Sequence, residues 1–237
     1  MKRCWADILF RSWTSMAIPA VLLVSVIILF EMTPLDDIIQ DLFYIGDGRW
    51  CIEFHKYSGW GLFYYTLPKI LLGMFGAAVL FHGGWLFFRK RIKPFGHIYV
   101  LVCLGAIPGV VAILKANSNM PYPRKLVQYG GACQKVSLAD AYLKPLAQGE
   151  KQYKGWPGGH ASGGFAIMGL AFVFTAPRKR WRGFLAAVLL GFFMGMGHTM
   201  DGNHFISHVL VSFFIGWLVS ALLYGLYARY VPCKAKS

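Results

Sequence analysis

The chain has 237 residues, of which 57% are hydrophobic and 14% are charged, whereas an average soluble domain has roughly 45–50% and about 25%. With an aromatic share of 16%, this composition excludes a disordered chain, which would be polar and poor in aromatic residues, and it indicates a membrane protein. A net charge of +14 is also found in nucleic-acid-binding proteins, but basic residues in a membrane protein first indicate topology, so no nucleic-acid partner is expected.

Six apolar stretches approach the ~20 residues that a helix needs to cross a bilayer. The first, after a basic segment, also resembles a signal peptide, but no small-residue cleavage site precedes Glu31. The fourth is short and rich in glycine. We predict an all-α, six-transmembrane-helix bundle that forms a single domain over 1–237, with its core at about 60–230. The six stretches are 14–30, 66–88, 96–114, 161–176, 183–200 and 206–228.

The charges predict which way the spans face. Basic residues gather on alternate connections, at 2–11, 89–93, 178–182 and 229–236, whereas all the acidic residues except Asp7 fall on the other connections. By the positive-inside rule, both termini are cytoplasmic, and the segments 31–65, 115–160 and 201–205 face outward.

Two of these outward segments are long. The segment 31–65 mixes apolar and acidic residues and predicts an amphipathic helix at the membrane interface, and 115–160 is a loop of a length that is usually functional. Cys51 and Cys133 lie one in each, and an oxidising exterior would allow them to pair if they are close.

Four of the seven histidines converge on the outer ends of the last three spans, at His160, His198, His204 and His208. Polar residues at membrane depth are costly and usually mark a site. His204 and His208 are four residues apart and share a helix face, so that one ring can orient the other. A hydrogen-bonded pair that only packs the helices and a metal site built from these histidines with Asp201 are the alternatives.

A phosphate-sized anion site is predicted beside these histidines. The run Pro157-Gly158-Gly159 before an apolar helix leaves backbone N–H groups free at a positive helix end. Lys115 ends the third span, and Arg124 and Lys125 follow in the loop. A snorkelling lysine and cations that face lipid headgroups are the alternatives for these three residues.

These residues resemble the three motifs of the type 2 phosphatidic acid phosphatase (PAP2) superfamily in order and spacing. Lys115, six residues and Tyr122-Pro123 resemble its Lys, six residues, Arg-Pro. Pro157-Gly158-Gly159-His160 resembles its Pro-Ser-Gly-His. In the third motif, Ser-Arg, five residues, His, three residues, Asp, this chain has Gly197-His198, then His204, then His208.

The resemblance implies a role for each matched residue. His204 would be the nucleophile that forms a phosphohistidine, and His160 the general acid. His208 would stand where the aspartate holds the nucleophilic ring. Lys115, Arg124 and His198, with the N–H groups of Gly158 and Gly159, would bind the phosphate. No metal and no cofactor are implied.

The chain departs from the motifs at four positions. Tyr122 and His198 replace arginines, Gly158 replaces a serine and His208 replaces the aspartate. This pattern is similar to a bacterial branch of the superfamily that has histidine at the last position. The resemblance implies a lipid phosphatase of a bacterial inner membrane whose active site faces the periplasm, acting on a phospholipid, polyprenyl or lipid A phosphate. The alternatives are a non-catalytic protein that binds or transports such lipids and a lipid phosphotransferase.

Overall fold

The computed structural model describes residues 10, 14–54, 59–89, 95–145 and 151–230. The basic groups predicted at 2–11 and 229–236 fall outside the described side chains, as does the group at 89–93 apart from Arg89. Over the described residues the chain is helical apart from one small hairpin and the connecting loops. This confirms the all-α prediction.

Eight helices follow one another along the described chain, and five of them are long and apolar enough to cross a membrane. Helix α3 contains a π-helical turn at Leu62–Thr66, and α6 contains a 3₁₀ turn at Ala166–Met168. The helices are α1 (Thr14–Met32), α2 (Leu35–Asp41), α3 (Gly59–Phe88), α4 (Phe95–Asn117), α5 (Leu138–Leu143), α6 (Gly159–Val173), α7 (Pro177–Met200) and α8 (Ile206–Tyr230).

Helix α6 is the fourth predicted span, and it is shorter than the other five. It packs against α4, α7 and α8, and its backbone comes so close to α7 that a Cβ on Gly164 would lie 2.5 Å from the Gly191 Cα atom. Small residues at this contact let the two backbones approach. The helix is therefore central to the bundle although it has only about four turns.

The segment 31–65 differs from the predicted amphipathic helix. Between the end of α1 and the start of α3, its described part forms the seven-residue helix α2 and a hairpin of strands β1 (Tyr44–Gly46) and β2 (Arg49–Trp50). Asp47 has φ 51° and Gly48 φ 73°, the left-handed conformation that a two-residue hairpin turn requires. The Asp-Gly pair was the signal for this hairpin, and it outweighs the apolar spacing.

The main hydrophobic core lies between α4, α6, α7 and α8. Its buried members are Phe10, Tyr99, Val100, Cys103, Ile107, Ala166, Ile167, Met168, Ala171, Phe172, Ala187, Trp217 and Ala221. A second cluster joins the hairpin to the loop before α5 through Trp50, Leu126, Tyr129 and Phe205. The loop segments are thus packed onto the end of the bundle that carries the four histidines.

The structure holds Cys51 and Cys133 as free thiols. The Cys51 Sγ atom lies 3.5 Å from the Met200 carbonyl oxygen, to which it donates. The pairing of these two cysteines, considered from the sequence, is therefore not present in this structure.

Candidate active site

The four histidines and Lys115 meet at one end of the bundle. Lys115 lies in the last turn of α4 and His160 in the first turn of α6. His198 lies in the last turn of α7, and His208 in the first turn of α8. His204 lies in the connection between α7 and α8. Residues far apart in the chain thus form one cluster.

The rings of His160 and His198 are stacked, with centroids 3.8 Å apart and planes inclined by 23°. The His204 ring lies 6.4 Å from His160 and 6.1 Å from His198. His198 and His204 are buried, at 6% and 2% exposure. The three imidazoles therefore form one compact cluster.

Several ring nitrogens of this cluster are buried without a hydrogen-bond partner among the described residues. These atoms are the Nδ1 atoms of His160 and His204 and both ring nitrogens of His198. A buried polar atom without a partner is costly. Unpartnered nitrogens on three neighbouring rings indicate a site for a polar ligand.

Lys115 supplies a positive charge beside these rings. A Cβ atom on Gly159 would lie 3.4 Å from the Lys115 Nζ atom, so the ammonium lies against the start of α6. The side chain therefore points to the histidine cluster, and this placement favours the phosphate-site interpretation over a snorkelling lysine. The bare glycine at 159 leaves the space that the ammonium occupies.

Gly158 and Gly159 differ in what their N–H groups do. The Gly158 N–H donates to the His208 carbonyl oxygen at 3.0 Å, whereas the Gly159 N–H has no partner among the described residues. The expectation that both groups bind phosphate thus fits Gly159 alone. A Cβ on Gly158 would also lie 3.0 Å from the His208 carbonyl oxygen, which gives a steric reason why this chain lacks the serine of the family motif.

His208 is held by the backbone and not by His204. Its Nδ1 atom donates to the Gly155 carbonyl oxygen at 2.9 Å, and its ring meets the His204 ring edge-on at 5.7 Å. No hydrogen bond joins the two rings in the described structure. His208 therefore orients the chain before α6 rather than the ring of His204, which differs from the expectation for this pair.

Arg124 is paired with a carboxylate. Its guanidinium lies 3.4 Å from the Asp201 Oδ1 atom, and the Arg124 backbone N–H donates to the Gly202 carbonyl oxygen. Asp201 is fully buried and also accepts from the Phe54 N–H and the Asn203 amide. Arg124 thus fixes the connection that carries His204, and much of its charge is balanced there.

The family model of the PAP2 superfamily matches residues 96–231. The chain belongs to the PAP2 superfamily. All three motifs that carry the resemblance fall inside the matched segment, which runs from α4 to the end of α8. No significant match to a curated protein or to a solved structure is found.

Helix α2, which precedes the matched segment, is hydrogen-bonded to the region of the third PAP2 motif. The Asp36 carboxylate accepts the Ser207 N–H at 3.1 Å and the Ser207 Oγ–H at 2.5 Å, and it thereby caps α8 beside His208. The Gln40 amide donates to the Thr199 carbonyl oxygen at 2.8 Å, at the end of α7. Both helices that flank His204 are thus tied to α2.

Burial changes the acidity of two groups in this part of the PAP2 site. It raises the pKa of Asp36 to about 6, against the smaller opposing effect of the Ser207 hydrogen bonds. It lowers the pKa of His204 well below its ordinary value, and the charge of Lys115 acts in the same direction. A neutral His204 ring has a free nitrogen lone pair, which a nucleophile needs.

The metal alternative finds no support in the geometry. Among the described residues there is no group of three or more His, Cys, Asp or Glu side chains placed to hold a metal ion. Asp201, which would have completed such a group, is engaged by Arg124.

Sequence reasoning missed the aromatic wall of the PAP2 site. The Tyr65 ring lies 4.9 Å from His160, and the Phe54 ring lies 4.8 Å from His198. Tyr122, at the position of a motif arginine, lies 6.4 Å from His204. Tyr65 is followed four residues later by Lys69, the one Lys, Arg, Asp or Glu between 59 and 88, and this isolated charge was the available signal.

Proposed function

We propose that the protein removes a phosphate group from a membrane lipid phosphate or pyrophosphate, with His204 as the nucleophile and His160 as the general acid. Membership of the PAP2 superfamily supports a phosphatase-like function. The observation that carries the proposal is the cluster of buried, unpartnered imidazole nitrogens on His160, His198 and His204 beside the Lys115 ammonium. A phosphate group supplies the hydrogen-bonding partners and the negative charge that this cluster lacks.

In the first step, a ring nitrogen of His204 attacks the phosphorus atom. The bond between phosphorus and the leaving oxygen breaks, and that oxygen takes a proton from His160. Lys115 and the Gly159 N–H stabilise the charge on the phosphoryl oxygens during the transfer. The products of this step are a phosphohistidine at His204 and the leaving group, which is the lipid alcohol from a monoester and the lipid monophosphate from a pyrophosphate.

In the second step, water hydrolyses the phosphohistidine. His160, which has given up its proton, takes one from the water as the water oxygen bonds to phosphorus. The bond between phosphorus and nitrogen then breaks, and inorganic phosphate leaves. If a second lipid alcohol takes the place of water, the same intermediate makes the protein a phosphotransferase.

The site's place at the ends of the spans supports a lipid substrate, because a headgroup that diffuses in the bilayer reaches it laterally. The charge pattern of the connections supports a site on the outer face, with both termini in the cytoplasm. The resemblance to a bacterial branch of the superfamily supports a bacterial inner membrane. Phosphatidic acid, phosphatidylglycerol phosphate, polyprenyl pyrophosphate and the phosphates of lipid A are the candidates.

A non-catalytic, lipid-phosphate-binding protein is the second candidate. Among the described residues, His208 bonds to the Gly155 carbonyl oxygen and not to His204, which favours this candidate. Tyr122 and His198 at the two arginine positions of the motifs favour it as well. A nucleophilic ring without an orienting partner on its second nitrogen is less well prepared for catalysis.

Phosphate release by purified protein in detergent, from a panel of the four lipid classes, separates the two candidates. Catalysis predicts release from at least one class and its loss in His204→Ala and His160→Ala. His82→Ala is the matched control, because His82 bonds to His97 at 2.9 Å and lies about 25 Å along α3 from Tyr65.

No release from any lipid by the parent would reject the phosphatase proposal, and retained binding would then support the non-catalytic candidate. Release that persists in His204→Ala would reject the nucleophile. The phosphohistidine route also predicts that a chelator leaves the rate unchanged, and a loss of activity that added metal restores would favour metal chemistry.

A further inference from the structure

Helix α3 brings a second cation to the histidine cluster from outside the segment that the family model matches. The Tyr65 ring lies 4.9 Å from the His160 ring and 6.0 Å from the His198 ring. The Lys69 Nζ atom lies 3.7 Å from the centroid of the same tyrosine ring. The ammonium is thus one aromatic ring away from the stacked imidazoles.

The backbone of α3 fixes this arrangement. Tyr65 lies in the π-helical turn Leu62–Thr66. Such turns are rare in proteins, and those that occur are often found at functional sites. The neighbouring Tyr64 packs tightly on α7, since a Cβ on Gly197 would lie 2.6 Å from the Tyr64 Cγ atom. Helix α3 is therefore held against Gly197, the residue that precedes His198.

The position of Lys69 indicates a function. Its charge lies in a helix that is otherwise apolar from 59 to 88, and charged residues in such helices are costly and mark ligand sites. The Lys69 side chain is not covered by its neighbours in the protein, and its ammonium lies over the Tyr65 ring.

The site needs such a cation. A phosphate monoester carries up to two negative charges, and the two motif arginines are replaced here by Tyr122 and His198. Arg124 is engaged by Asp201, which leaves Lys115 as the cation already placed at the cluster.

We propose that Lys69 is the second phosphate-binding cation of this site, and that Tyr65 is a positioning residue that holds its ammonium by a cation–π contact. The proposal rests on the phosphate site of the proposed function. Lys69 of α3 then supplies the positive charge that the third motif lacks in this chain, where His198 replaces an arginine.

Equilibrium dialysis of the purified, detergent-solubilised protein against radiolabelled inorganic phosphate tests the proposal. Lys69→Met is expected to weaken phosphate binding at least tenfold, and Lys69→Arg to retain most of it. Lys144→Met is the matched control, because Lys144 lies at the same end of the protein but outside the cluster, where it pairs with Asp140.

The role of Tyr65 is tested in the same assay. Tyr65→Phe keeps the ring and is expected to keep the parental affinity, whereas Tyr65→Leu is expected to weaken binding although the melting temperature is unchanged. A tyrosine that serves packing alone would show the reverse, a lower melting temperature with unchanged phosphate affinity in molecules that remain folded.

The outcomes separate this proposal from the proposed function. If phosphate binds in a Lys69-dependent way but no lipid is hydrolysed, the cation assignment stands and the phosphatase proposal fails. If lipids are hydrolysed and Lys69→Met binds phosphate as well as Lys144→Met, the cation assignment fails and the phosphatase stands. A parent that binds no phosphate at millimolar concentration overturns the cation assignment.

Discussion

Replacing Asp36 by asparagine tests whether α2 holds the third motif through a buried carboxylate. Asparagine has the same shape, and its Oδ1 and Nδ2 atoms can keep both contacts with Ser207, so the variant is expected to fold. It lacks the negative charge of Asp36, which is buried in the parent, with 6% of the residue exposed.

The size of the effect follows from the pKa of Asp36, which burial raises from 3.8 to about 6. Between these two values the folded protein binds a proton that the unfolded chain has released, so the free energy of unfolding of the parent falls as the pH rises. The fall amounts to about 3 kcal/mol in total and is complete above the folded-state pKa. The asparagine variant has no such contribution.

The assay is unfolding by sodium dodecyl sulfate in mixed micelles over a range of pH. Relative to the parent, Asp36→Asn is expected to gain stability by up to about 3 kcal/mol as the pH rises from about 4 to 7. Asp140→Asn, which changes an exposed carboxylate, is the control for pH effects that are shared by all variants.

A difference in the free energy of unfolding between parent and Asp36→Asn that stays constant with pH would mean that burial does not raise the pKa of Asp36. A difference of the opposite sign would mean that the Ser207 hydrogen bonds outweigh the burial of the charge.

Three further predictions concern the site itself. Gly155→Ala is expected to lower the melting temperature, because its Cβ would lie 2.5 Å from the Met120 carbonyl oxygen, whereas Gly73→Ala, with open space around it, should leave it unchanged; equal effects would contradict this. His208→Ala is expected to lower the free energy of unfolding by roughly 1–3 kcal/mol, because it leaves the Gly155 carbonyl oxygen without its partner; an unchanged value in detergent unfolding would mean that this bond contributes nothing. Because the pKa of His204 lies well below its ordinary value, phosphoryl transfer to it should not slow as the pH falls through about 6.5; a loss of rapid-quench phosphorylation rate with that midpoint would show a protonated nucleophile.

The long apolar helices could be predicted from the lengths of the apolar stretches. The histidine cluster could be predicted from the intervals between the motif residues. The predicted spans overlap the observed helices, although α3 and α7 begin seven and six residues earlier than predicted. The motif intervals around Lys115, His160 and His204 place these residues at one end of the bundle. The superfamily resemblance is confirmed by the match over 96–231.

Contacts between distant parts of the chain could not be predicted in the same way. Asp36 and Ser207 are 171 residues apart, and no local pattern relates them. The hairpin at 44–50 differs from the predicted amphipathic helix, because Asp47 and Gly48 adopt the left-handed conformation of a tight turn. The orientations of His208 and Arg124 depend on the backbone carbonyl of Gly155 and the carboxylate of Asp201, which only the folded chain brings into reach.

Phosphorylation of His204 during turnover can be observed by trapping the intermediate. The protein is mixed with a lipid substrate labelled in its phosphate, quenched in alkali, in which phosphohistidine is stable, and digested for mass spectrometry. A phosphohistidine at this position predicts label on the peptide that contains His204, its loss in acid, and no label in His204→Ala. Phosphate release without label at His204, or label that survives acid, would contradict it.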